Sequence, residues 1–428
     1  MRTAAAVLIL ALGVACCPAA DKIFNVRTFG ATGAGEDFDT VAIQKALDAC
    51  ANSGGTVEFP AGIYLSRPLV IHAQTTVQLE AGAILQASTN QADFMKFPGD
   101  WLAAKSSGDF IPFISGRDLT NVTFTGGGVI DGGGAVWWPA AEKARRAKSG
   151  YTLPRPNLIV IERCQHLRLE NITLQNSPKF HFVPSECEDV VVSNVTILAP
   201  EYAANTDAID PSACQDVLIT RCRIDVGDDN IAIKSGRKIA GREFASENIT
   251  VTGCTFLHGH GVSIGSETAG GVRGVTVNHC TFENTENGLR IKSDVKRGGL
   301  VEDISYSDIV MSNVVPAITF TCYYMNDSAG DATKAGAGQT AGEKIPVYRN
   351  IRVANLKATC QKAAGIILGL PENCISNVVF ENVQISAPQG MTIRNARGIQ
   401  FKNSNITVQE GAPVISENAQ IEGLGTTD

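Results

Sequence analysis

Four short stretches between Asn205 and Lys292 carry carboxylates, an imidazole and two cations at recurring positions. Aligned on the pairs Ala208-Ile209, Asn230-Ile231, Gly261-Val262 and Gly288-Leu289, they put Asp207, Asp229 and His260 in one column, with Asn287 next. Thr206 and Asp228 share the column before it. Arg290 follows the last pair, and Lys292 lies two residues further on. The steps down the main column are 22, 31 and 27 residues, each suited to one coil of a solenoid whose strands stack about 4.8 Å apart. Coiling of that kind gathers three acids, a histidine and two cations on one surface. Three clustered carboxyls cannot all ionise cheaply, so one pKa rises, which prepares one general acid and one base. Neighbours in a strand point to opposite faces, and a bulge at Gly227 would let Asp228 and Asp229 both look outward. The competing readings are a calcium site or a solvated acidic turn. His260 is a poor calcium ligand, and Arg290 and Lys292 would oppose a bound cation. No Cys-x-x-Cys pair or Cys/His cluster has zinc spacing, so no metal and no cofactor is expected.

The elements that position these residues are written as a repeat. Strands start at Leu167, Val190, Val217, Ile249, Val275, Ile304, Ile351, Val378 and Ile399, each alternating apolar and polar before a turn and a second strand. Asn171, Asn194, Asn355, Asn382 and Asn403 fall at that turn, where Asn tolerates left-handed backbone and can stack in a ladder. The intervals exceed a hairpin and fit a three-sided coil. The expected class is all-β, a single-stranded right-handed parallel β-helix, with the hand set by parallel crossovers. Asp39 to Ala51 is apolar at helical spacing (Val41, Ile43, Ala46, Leu47, Cys50), with Asp39 or Thr40 as N-cap. This helix would cap the open end of the solenoid. Two stretches break the pattern, Ala92–Asp109 with Trp101 and Gly132–Asn157 with Trp137-Trp138 and the run Lys143, Arg145, Arg146, Lys148. They suit either a sugar-acid wall or a helix-bearing loop of ordinary charge. Met325–Pro346 reads as a loop on the side wall, and the solenoid is expected to end near Val414.

Asn205-Thr206-Asp207, Gly227-Asp228-Asp229, Gly259-His260-Gly261 and Arg290-Ile291-Lys292 resemble, in order and spacing, the four motifs of the polygalacturonase family, glycoside hydrolase family 28. Ile231–Gly236 and Asn176–His181 look similar too, and the likeness runs from Phe24 to about Phe401. Asn230 stands where many members have Cys and Ala208 where many have Gly. The resemblance implies a pectin-lyase-like solenoid and an inverting hydrolase of galacturonan. In that scheme Asp228 protonates the leaving oxygen, Asp207 and Asp229 hold and deprotonate water, and His260 tunes the acid. Arg290 and Lys292 would pair with a substrate carboxylate, and Tyr323 would sit near the sugar. His181 reads equally as a site residue or a wall histidine. Ser263–Glu267, Arg297-Gly-Gly299 and the Trp137-Trp138 insertion look more like bacterial exo-acting members. Alternatives are rhamnogalacturonan or xylogalacturonan hydrolysis, a calcium-using pectate lyase, and a non-catalytic carbohydrate-binding β-helix.

Composition sets the outer limits. The chain has 428 residues, 44% hydrophobic and 18% charged, with net charge −7. That describes an ordered globular protein and argues against nucleic acid as partner. The expected partner is a pectic polysaccharide or oligogalacturonide, met by a monomer. Residues 1–20, with Arg2, an apolar run from Ala4 to Ala15 and Pro18-Ala19-Ala20, read as a signal peptide, which implies a secreted or periplasmic protein with one domain over 21–428. Cys16 and Cys17 raise a lipid-anchor alternative, which the preceding residues fit poorly. No later run is long enough to span a membrane. Cys164, Cys187 and Cys214 share one slot of the repeat and Cys222, Cys254 and Cys280 another, so buried free thiols are favoured over disulfides.

Overall fold

The computed structural model describes residues 22–147, 153–236, 238–239, 242–324 and 344–424. The signal-peptide and lipid-anchor expectations, Lys148 and most of the Met325–Pro346 loop lie outside them. Among the described residues, 31 strands join in one continuous sheet, wound as a right-handed parallel β-helix. One coil runs through the strands Phe182–Ser185, Glu188–Ser193 and Thr196–Leu198. The register of the middle wall follows the sequence repeat. Val190, Val217, Ile249, Val275, Ile304, Ile351, Val378 and Ile399 are successive partners. All eight are buried, each worth roughly 1.5–3 kcal/mol by transfer from water. A slip of one residue would turn this column outward, so the apolar alternation locks the register.

The turn slot keeps a left-handed backbone through the stack. Asn171, Asn194, Asn355, Asn382 and Asn403 have φ of 52°, 54°, 51°, 54° and 49°. Asn194 Nδ2 donates to Asn171 Oδ1 at 2.8 Å, Asn382 to Asn355 at 3.0 Å and Asn403 to Asn382 at 2.7 Å. Arg221 and His279 hold the same slot at φ 52°, so the ladder tolerates other residues once its neighbours fix the geometry.

Helix α1, Thr40–Ala51, covers the N-terminal end with Ile43, Ala46, Leu47 and Cys50. Asp39 precedes it but makes no side-chain cap. Its carboxylate instead accepts from the backbone N–H groups of Thr32 and Gly33, at 2.7 and 3.0 Å, and so ties the preceding loop. At the other end the strand Val414–Glu422 pairs with the coil before it, so the solenoid extends past the expected limit at Val414. No described helix is long and apolar enough to cross a membrane.

The two insertions pack on each other. Trp137 is buried, edge-on to Trp101, Phe110 and Phe94 at centroid distances of 4.9, 5.9 and 6.0 Å. Trp138 opens helix α2, Trp138–Ala147, and its Nε1 donates to Ser177 O at 3.1 Å. Both rings are therefore anchors for the insertion, and the sugar-stacking alternative for them falls. All ten described cysteines are free thiols, eight of them buried. The two stacks are thiol-to-backbone contacts, such as Cys164 N–H to Cys187 Sγ at 3.4 Å and Cys222 N–H to Cys254 Sγ at 3.5 Å. Adding a thiol reductant should leave the melting temperature within about 1 °C, because no cross-link is lost. A larger fall, read by calorimetry, would contradict the free-thiol assignment.

Candidate active site

The acids sit in the turns that feed one wall of the sheet, whose buried row fixes their register. Ile209 bridges to Ile231, Ile231 pairs with Val262, Val262 with Leu289 and Leu289 with Ile318. Two residues before each, Asp207, Asp229, His260 and Asn287 follow in the expected column. Gly227 and Asp228 lie in a bend ahead of the strand Ile231–Ile233, so a bend and not a strand bulge turns Asp228 toward the surface, while Asp229 stays buried. Gly227 is required by close approach, since a Cβ there would fall 2.4 Å from Ala203 O and 2.7 Å from Glu201 O. That turn presses on Gly227 and aims the Asn205 N–H at Asp228 Oδ2, 3.1 Å away.

Each acid has a distinct partner set. Asp228 Oδ1 accepts from the Asp229 N–H at 2.9 Å and lies 3.1 Å from His260 Nδ1. The far side of that ring, Nε2, is 3.0 Å from Glu286 Oε2. Asp229 accepts from Lys292 Nζ at 2.6 Å and Ser263 Oγ at 2.7 Å, with Arg290 Nη1 3.5 Å away. Asp207 Oδ2 accepts from Lys234 Nζ at 3.3 Å, while its Oδ1 is buried without a hydrogen-bond partner. Lys234 also pairs with Asp210. Of the three expected acids Asp228 is the most reachable, its side chain 17% exposed against 5% for Asp207 and 2% for Asp229.

Asn230, where the resembled family often has Cys, pins the histidine turn. Its Nδ2 donates to His258 O and its Oδ1 accepts the Gly261 N–H, both at 2.8 Å. Gly261 has φ +71°, and a Cβ there would lie 2.2 Å from Asn287 O, so the turn that presents His260 needs glycine. His181 is buried, its Nδ1 3.1 Å from Asp207 O and its Nε2 accepting the Ser177 N–H at 3.3 Å. Burial pushes its pKa down to about 4, so a neutral ring with the proton assigned to Nδ1 fixes the backbone of Asp207.

Electrostatics separates the carboxyls. Burial and the like charges of Asp210 and Asp228 push Asp207 well above the usual carboxylate range. Burial raises Asp210 to about 6 against the pull of Lys234. Burial would also raise Asp228, but the His260 charge, its hydrogen bond and Lys292 outweigh that and hold the group low. Asp229 is likewise held down, burial being overcome chiefly by Lys292. Burial disfavours charged His260, yet Asp228 and Glu286 lift it to about 10. The proton shared by Asp228 and His260 thus rests on the imidazole. Asp228, Asp229 and His260 offer ligand atoms within 4.8 Å of one another. Lys292 and Arg290 on Asp229 make that trio a poor cation cage.

Two expected substrate contacts have protein partners of their own. Lys292 is buried and turned onto Asp229, so its charge is spent inside the site. Tyr323 is half-buried at the edge of the core, within hydrogen-bonding reach of Asn395. Its neighbour Tyr324 faces the cations instead, with Lys292 Nζ, Arg290 Cζ and Arg297 Cζ at 5.2, 5.7 and 5.8 Å from the ring centroid. Arg290 remains the available fork, its Nε buried and unpartnered among the described residues.

Several site residues escaped the sequence reading. Lys234 was legible, because the pairing Ile233–Ile264 and Gly265–Lys292 puts it in the column of Lys292, two coils away. Asp210 lies likewise in the column of Arg290. Arg155 left no such signal. It is buried, donates Nη2 to Ala204 O at 2.8 Å and Asn205 Oδ1 at 3.2 Å, and braces the turn that carries Asp207. Burial lowers it to about 10, opposed by Asp228 and Asp207. Lys179, over the Phe180 ring, is pushed by burial to about 8.

Comparison with known proteins agrees with this arrangement. The model of glycosyl hydrolases family 28 matches residues 55–410. An endo-polygalacturonase of Pectobacterium carotovorum subsp. carotovorum is 33% identical over 370 residues, 83% of this chain and 86% of that protein. An exopolygalacturonase structure from Thermotoga maritima superposes with TM-score 0.76 at 26% identity, covering 91% of this chain and 92% of the other. A polygalacturonase structure from Erwinia carotovora ssp. carotovora gives TM-score 0.72 at 29% identity, covering 95% and 98%.

Proposed function

The chain belongs to glycosyl hydrolases family 28, and on that footing we propose that it is an exported, exo-acting polygalacturonase that inverts the anomeric centre it hydrolyses. Hydrolysis of pectin by a polygalacturonase is the activity its family and relatives carry, which sets aside the lyase and non-catalytic alternatives. The observation that carries the site assignment is the cluster of Asp228, Asp229 and His260 within 4.8 Å, beside Arg290.

Asp228 is the general acid, since it alone of the three carboxyls is open enough to meet a glycosidic oxygen. Its proton is held in common with His260. It rests on Nδ1 and passes to the carboxylate as negative charge grows on the leaving oxygen. Asp207 and Asp229 orient the attacking water and take its proton. Asp228 and Asp229 offer oxygens within 4.8 Å of one another, closer than the roughly 6.5–9.5 Å usual for an inverting pair, so inversion rests on the family and not on this spacing. Arg290 receives the substrate carboxylate through the donors that Asp229 leaves free, and Lys292 keeps Asp229 ionised. Tyr324 takes the place expected of Tyr323.

The exo reading rests on the likeness of the Trp137-Trp138 insertion to bacterial exo-acting members; its helix α2 carries Arg145, whose pKa is raised by Glu142 first and more weakly by Glu286 and Asp228. Relatives of both modes exist, and products decide between them. From long polygalacturonate, exo action releases monomer or dimer from the first minutes with slow loss of viscosity. An early spread of oligomers with rapid thinning would overturn it.

A further inference from the structure

We propose that Lys234 and Asp210 form a charge-setting pair that positions Asp207 and governs when its carboxylate is available to take a proton from water. This rests on Asp207 being a base. Lys234 Nζ has three directions to donate in, and all three are used: Asp207 Oδ2 at 3.3 Å, the Asp210 carboxylate, and the face of Phe180 with its centroid 4.4 Å away. The lysine therefore has no donor left for substrate, unlike Arg290, and acts only through Asp207. It is one cation shared by two buried carboxyls, each with an Oδ1 lacking a partner. A single ammonium cannot fully compensate both in a low-dielectric pocket. Asp210 takes the shorter contact, and Asp207 is left with the weaker share.

The other charges around Asp207 do not replace that control. From the preceding coil come neutral His181 and Lys179, the latter donating to Ser107 Oγ at 2.8 Å. From the insertion comes Arg155, turned to Ala204 O and Asn205. From the following coils come Asp228 and Asp229, already engaged by His260, Arg290 and Lys292. Lys234 is the cation with a direct contact to the Asp207 carboxylate, and Asp210 is its competitor for that lysine. Both groups are raised, Asp207 by burial and the charges of Asp210 and Asp228, and Asp210 by burial to about 6, as two acids sharing one cation should be.

The pair predicts shifts of opposite sign, read in the acidic limb of kcat against pH. Asp210→Asn removes the competing charge, leaves Lys234 to Asp207 alone, and should move the limb to lower pH by about one unit. Lys234→Met strips Asp207 of its cation and should move it to higher pH by about one unit or more. A merely structural role would lower activity without moving the limb, and that result, or two shifts of the same sign, overturns the proposal. If Lys234→Met does not fold, the isosteric Asp210→Asn limb decides alone. Asp207→Asn separates the premise from the inference. Full turnover in that variant removes the base assignment, whereas an inactive Asp207→Asn with an unmoved Asp210→Asn limb removes only the role of the pair.

Discussion

Asp228→Asn should lower kcat on polygalacturonate by about a hundred- to ten-thousand-fold with little change in KM. The amide keeps the shape and can still lie against His260, but it cannot deliver a proton to the departing oxygen. The loss is confined to the transition state, where that oxygen becomes basic, so substrate binding in the ground state should survive. A second substrate makes the test specific. With an aryl galacturonide whose phenol leaves without protonation, Asp228→Asn should recover most of its rate, and Asp207→Asn should not. Recovery in Asp207→Asn with none in Asp228→Asn would exchange the two roles. That exchange is a real competitor on electrostatic grounds, because Asp207 is the carboxyl pushed up and Asp228 the one held down. Accessibility argues the other way. Asp207 is 5% exposed, while Asp228 is 17% exposed with His260 Nδ1 3.1 Å away.

Lys292→Met should abolish most activity and also destabilise the fold, by about 3–5 kcal/mol near neutral pH. The lysine is 5% exposed and bonded at 2.6 Å to an Asp229 that is 2% exposed. Removing one partner leaves a buried carboxylate whose remaining cation, Arg290, is 3.5 Å away. The pH dependence follows from the direction of the Asp229 shift. A carboxyl held down in the folded state contributes stability that is present above its unfolded pKa and fades as pH falls through the folded value. Without Lys292, burial and Asp228 both favour protonating Asp229, so the variant loses that contribution. The gap between wild type and Lys292→Met, measured by denaturant melts, should be widest near pH 7 and narrow toward acid. A gap that is constant with pH would mean the loss comes from packing and not from the ion pair.

Much of this architecture is written locally in the chain, and the reason is the period of the fold. A solenoid repeats its register every coil, so residues that start strands in the sequence, from Val190 to Ile399, meet one another directly. The same rule carries Asp207, Asp229 and His260 into one column, and Asn171 and Asn194 into a hydrogen-bonded ladder. Lys234 obeyed it as well, in the column of Lys292 two coils away.

What only the folded molecule decided lies where that periodicity stops. The strand Ile318–Thr321 ends before the tyrosines, alternation no longer assigns a face, and Tyr324 takes the position beside the cations. The insertions have no repeat to place them. Their docking buries Trp137 among Phe94, Trp101 and Phe110 and brings Arg155 under the turn of Asp207. Spacing placed Lys292 beside the acids but could not choose its partner. Burial chose it, because an ammonium withdrawn from water is stable only against a carboxylate, and Asp229 is the one within reach.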